Sequence, residues 1–137
     1  MQELDPTQVP GEAPQLSKNA VTVLQSRYLI KDAHGKCTET PAQMFNRVAA
    51  LVAQAEAKYG AAPTDIRQWH RRFYDLMASL KFLPNSPALM NANRPSGMLS
   101  ACFVLPIEDS IEAIFETIKQ TALIQKAGAV QASPSTS

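Results

Sequence analysis

Apolar positions in this chain fall into helical spacing at four places and into strand spacing at one. Leu16, Ala20, Val23 and Leu24 recur three and four apart, with Ser17 placed as a cap, so a short helix is predicted over 16–26. Met44, Val48, Leu51, Val52 and Ala55 form a second stripe. Pro41 suits the first helical position and Thr40 with Gln43 makes the reciprocal capping pattern, so both signals agree on that start. The helix is predicted to run to residue 58, with Gly60 placed to end it. A third stripe, Ile66, Trp69, Phe73, Leu76, Met77 and Leu80, follows Pro63 and Thr64 and is expected to be buried. The fourth, Ile111, Ile114, Phe115, Ile118 and Ala122, is expected to face inward from a helix capped by Asp109 and Glu112.

The intervening stretches read differently. Residues 28–31 and 36–39 are short extended runs around the turn chemistry of Asp32, Ala33, His34 and Gly35, which predicts a small hairpin. Pro84, Pro87 and Pro95 withhold backbone donors, so 82–99 is predicted as a shaped loop rather than a helix. Over 100–105, alternation puts Ser100, Cys102 and Val104 on one face of a strand, opposite Ala101, Phe103 and Leu105. Residues 1–15 hold three of the ten prolines and few bulky apolar groups, and are expected to be a flexible arm.

Composition narrows the picture. Thirteen basic against twelve acidic residues leave a net charge of +1, which gives no broad field toward nucleic acid or an anionic membrane. The Arg67, Arg71 and Arg72 cluster beside Trp69 therefore reads as a solvated basic face, with Trp69 turned into the core stripe. His34 and Cys37 have half the spacing of a zinc site, but no second pair completes four ligands. The amino terminus has no apolar signal core, and no apolar run reaches bilayer-spanning length. With two cysteines far apart, the cytoplasm and reduced thiols are the expectation.

The stretch LKFLPNSPALMNANRPSGMLSACFVLPIEDS, residues 80–110, resembles the region around the first redox cysteine of ribonucleotide reductase large subunits, most closely the adenosylcobalamin-dependent branch. LSKNAVTVLQSRYLIKD, ETPAQMFNRVA and FYDLMASLKFLPNSP take part as well, so the resemblance covers 16–126. It implies a mainly α fold: a helical amino-terminal domain over 16–82 with its hairpin, then, over 83–128, the first strand and helix of a truncated α/β ten-stranded barrel. It also implies that Ser86, Ala101 and Cys102 line the substrate site and that Cys102 is one of two thiols reducing the ribose. Asn93 stands where the family usually has glycine, a change that a left-handed turn tolerates.

The resemblance implies absences too. The family's radical cysteine and its second reducing cysteine have no counterpart here, and Cys37 matches neither position. Adenosylcobalamin is the cofactor of the parent family, and none is expected to bind this fragment. After Lys126 the family continues close to SGGGTGFSFS where this chain reads AGAVQASPSTS. Residues 129–137 are therefore expected to be an aberrant tail, since AVQASPSTS can be back-translated so that a shifted frame reads GTGFSFNF. The functional expectation is an amino-terminal fragment of a ribonucleoside-diphosphate reductase, inactive by itself. The partners implied are a ribonucleotide in the full enzyme and a downstream reductase fragment, with no nucleic acid and no membrane. One half of a split reductase and a non-catalytic helical interaction module are the alternatives. A small nucleic-acid-binding protein rests on the arginine cluster alone. The strand at 100–105 is expected to lack pairing partners and to be poorly ordered or prone to association.

Overall fold

The computed structural model describes residues 8–95, 97–126 and 130–132. Five helices, α1 (Lys18–Arg27), α2 (Pro41–Gln54), α3 (Pro63–Ala78), α4 (Ser86–Asn91) and α5 (Ile111–Lys126), are joined by two short strands, β1 (Cys102–Val104) and β2 (Val130–Ala132). Capping signals account for most boundaries. Ser17 accepts from the Ala20 amide, and Thr40 and Gln43 satisfy each other's backbone donors. A 3-10 turn, Ala55–Tyr59, extends α2 to the left-handed Gly60 at φ 82°. At α3 the cap position is Ala62, and Pro63 takes a first-turn place. Ser110, not Asp109, caps α5, accepting from the Ala113 amide at 3.2 Å. The hairpin narrows to a single antiparallel bridge, Lys31 to Cys37.

The core lies where α2 packs on α3. Met44, Phe45, Val48 and Ala49 meet Tyr74, Met77, Leu29, Leu89 and Ala92, and Leu24 and Phe73 close its edges. Ala49, Ala50 and Ala53 are fully buried, so small side chains let a neighbouring surface approach α2 closely.

Two expected stripes need correction. On α3 the buried positions are His70, Tyr74 and Met77, while Trp69, Leu76 and Leu80 are exposed. The polar residues enter because their atoms find partners: His70 Nε2–H donates to Asn46 Oδ1 at 2.7 Å, and Tyr74 Oη–H donates to the Glu12 carbonyl at 2.7 Å. Trp69 instead stacks on Phe73 at 5.6 Å, with the Arg72 guanidinium 5.1 Å from its ring. On α5, Ile111, Ile114, Phe115 and Ile118 are exposed, and Ala113, Thr117, Thr121 and Ile124 are the half-covered row. A 16-residue helix is ~24 Å long, and two three-residue strands offer too little sheet to cover it.

Burial lowers the His70 pKa from the ordinary 6.5, and its hydrogen bond to Asn46 opposes this. The unfolded chain therefore binds the proton more readily. Stability is complete above the unfolded value and falls as pH drops below 6.5 toward the lowered folded value. Thermal unfolding at successive pH values should show this decline, and His70→Gln should flatten it.

Residues 8–15, the described part of the arm expected to be flexible, are held against α3. Val9 packs on the core, and a Cβ at Gly11 would lie 2.7 Å from Asp75 Oδ1 and 3.0 Å from the Tyr74 ring. Gly11→Ala should detach this strap, costing about 1 kcal/mol and raising amide exchange over 8–15. Unchanged exchange would show that the contact does not hold it. Residues 1–7 lie outside the described residues.

Nor does β1 stand alone. It pairs in parallel with β2, Cys102 opposite Val130 and Val104 opposite Ala132, and α5 makes the crossover of a βαβ unit. Backbone pairing thus reaches the strand expected to lack it. Residues 130–132 of the expected aberrant tail form β2, while 129 and 133–137 lie outside the described residues.

Candidate functional site

The stretch leading to Cys102 begins with a strained helix end. Leu80 closes α3 in the left-handed region at φ 59°, with its amide donating to Met77 and the Lys81 amide to Leu76. The loop predicted over 82–99 contains α4, a correction to the reading that its prolines exclude a helix. Pro87 sits in the first turn, where its missing donor costs nothing, and Asn85 accepts from the Ala88 amide at 2.9 Å. Asn93 follows at φ 54°, the left-handed turn expected of it.

What fixes α4 is one buried side chain. Arg47, on α2 with its side chain 4% exposed, forms a bidentate pair with Glu39, 9% exposed, at 2.9 to 3.3 Å. Its remaining donors reach the carbonyls of Leu89 at 2.7 Å, Ala92 at 3.0 Å and Tyr28 at 3.5 Å. Glu39 also accepts from the Ile30 amide at 2.9 Å. The hairpin, the end of α1 and the end of α4 therefore meet at one guanidinium. Sequence reasoning missed this residue. The available signal was a cation three positions after Met44 and directly before Val48, on the buried side of a strongly capped helix.

The three expected site residues occupy two elements. Ser86 opens α4 and is exposed, with its Oγ 3.0 Å from the Tyr28 phenol oxygen. Ala101 is half-buried just before β1, and Cys102 begins β1 as an exposed free thiol. Cys37 is also free, with its Sγ donating to the Gln25 carbonyl at 3.5 Å. Among the described residues no three His, Cys, Asp or Glu side chains converge as a metal site. No helix among them is long and apolar enough to cross a membrane.

A capped helical domain thus presents a hydroxyl on a clamped loop and a thiol at the start of a parallel strand. That is a thiol-bearing α-helical domain leading into a βαβ unit. Residues 14–97 match the family described as ribonucleotide reductase, all-alpha domain, and the chain belongs to that family. It is 49% identical over 113 residues to a vitamin B12-dependent ribonucleoside-diphosphate reductase of Mycobacterium tuberculosis, which covers 82% of this chain and 16% of the relative. The protein of the same description from Thermoplasma acidophilum is 40% identical, covering 82% of this chain and 22% of the relative. A ribonucleoside-diphosphate reductase subunit alpha from Helicobacter pylori is 33% identical over 79% of this chain and 13% of its own length. The chain therefore spans less than a quarter of these relatives.

Proposed function

We propose that this chain is the amino-terminal part of an adenosylcobalamin-dependent ribonucleoside-diphosphate reductase, with Cys102 as one of its reducing thiols and Ser86 and Ala101 lining the substrate site. The carrying observation is the 49% identity over 82% of the chain. The exposure of Cys102 supports the role, since a thiol that reacts must be reached. In the reaction the ribose 2′-hydroxyl leaves as water and two electrons and two protons come from two thiols, which close a disulfide. An external dithiol reopens it. Cys102 supplies one of those thiols.

Acting alone, the 137-residue chain is inactive in this reading. Its other cysteine, Cys37, lies in the hairpin that precedes α2, which leaves Cys102 without a redox partner among these residues. When bound, adenosylcobalamin supplies the radical that initiates such chemistry. This chain by itself is not expected to hold the cofactor, whose site in this reading belongs to the rest of the reductase. The βαβ unit is the opening of the barrel domain, with the helical domain before it. The bare row Ile111, Ile114, Phe115, Ile118 and Leu123 then packs on the rest of the reductase, on the same polypeptide or a separate one. We read its location as the cytoplasm, where thiols are kept reduced.

Grafting this chain in place of the matching segment of the Mycobacterium tuberculosis relative tests the reading. The graft should reduce ribonucleoside diphosphates, and a folded graft with no such activity would refute the assignment.

A further inference from the structure

Ser86 does not present its hydroxyl alone. Tyr28, half-buried at the end of α1, brings its phenol oxygen to 3.0 Å from Ser86 Oγ, across 58 positions of sequence. Both partners are held by the same group, since Arg47 binds the Tyr28 carbonyl and the carbonyls of Leu89 and Ala92 on and just after α4. The Tyr28 ring packs against the core, so its oxygen is delivered from a fixed platform.

A serine hydroxyl has one proton to give and two lone pairs to accept with. A phenol hydroxyl is more acidic than an alkyl hydroxyl, so of the two oxygens the phenol is the better donor. We infer that Tyr28 is a positioning residue: it donates to Ser86 Oγ and so leaves the serine proton directed at an acceptor oxygen of a bound ribonucleoside diphosphate. This rests on the reductase reading above. It adds a residue from the helical domain to the control of the substrate loop, through a hydroxyl pair that the Arg47 clamp keeps in register. Without Tyr28 the hydroxyl of Ser86 rotates freely, and binding the acceptor then carries the cost of fixing it.

The test uses the grafted reductase and three variants, Tyr28→Phe, Ser86→Ala and the double. Tyr28→Phe keeps the ring and should leave the melting temperature near that of the parent. The inference predicts a KM for the diphosphate raised about 3- to 10-fold, the worth of one such hydrogen bond, with kcat changed less than about twofold. Ser86→Ala should raise KM at least as much, and the double variant should be no worse than Ser86→Ala. An unchanged KM in Tyr28→Phe beside an impaired Ser86→Ala would overturn the role of Tyr28 and leave the reductase reading intact. Additive effects, or a fall in kcat together with melting temperature, would make Tyr28 structural and also overturn it. An inactive but folded parent graft would overturn both.

Discussion

Cys102→Ala is expected to bring multiple-turnover reduction by the grafted enzyme below about a thousandth of the parent rate, while leaving its fold unchanged. The two expectations separate because of where the thiol sits. Cys102 is exposed at the start of β1, and the ladder to β2 uses backbone groups that alanine retains. No buried volume is lost, so no cavity forms. The chemistry, in contrast, loses one of two electron-donating sulfurs, and no neighbouring group replaces it. Turnover with a physiological dithiol, measured beside thermal unfolding, checks both halves. Retained turnover would remove Cys102 from the reaction, and a large fall in melting temperature would show a structural thiol.

Arg47→Met should cost about 3 to 5 kcal/mol of stability, a fall in melting temperature of roughly 10 °C or more. The methionine fills much of the same space, so packing alone would predict a small effect. Electrostatics decides the size: the Glu39 carboxylate stays buried without its partner, and the Leu89 and Ala92 carbonyls lose their donors. Adding Glu39→Gln should recover part of the loss, because the amide oxygen can still accept from Ile30 and no charge remains buried. Denaturant unfolding of the parent, single and double variants gives the coupling directly. A loss under about 1 kcal/mol in the single variant would mean that solvent reaches the pair and screens it.

Local chemistry was legible in the sequence wherever it acts over a few residues. Thr40, Pro41 and Gln43 announced the start of α2, Ser17 that of α1, Gly60 the end of the extended second helix, and Asn93 a left-handed turn. What failed depends on distance. The buried face of α3 was misplaced because His70 and Tyr74 are polar by letter, and only the folded chain brings Asn46 and the Glu12 carbonyl to them. The stripe of α5 is exposed although its amphipathic pattern predicts an inward face, because pattern alone does not say whether a covering surface is present. Proline counting hid α4, whose Pro87 occupies the one part of a helix that tolerates it.

At the candidate site the division is similar. Ser86, Ala101 and Cys102 were named from resemblance, and the fold places them on α4 and at β1. Arg47 and Tyr28 were not named, since their importance lies in contacts 42 to 58 positions away. A cation inside an apolar helix face was the one mark that Arg47 left in the sequence. Tyr28 left none beyond its place in an extended run.

The most direct measurement is thiol mapping of the grafted reductase after a single turnover on ribonucleoside diphosphate with no external dithiol present. The account predicts that Cys102 is recovered in a disulfide in amounts that match the deoxyribonucleotide formed, with Cys37 still reduced. Product formed while Cys102 remains a free thiol would contradict it.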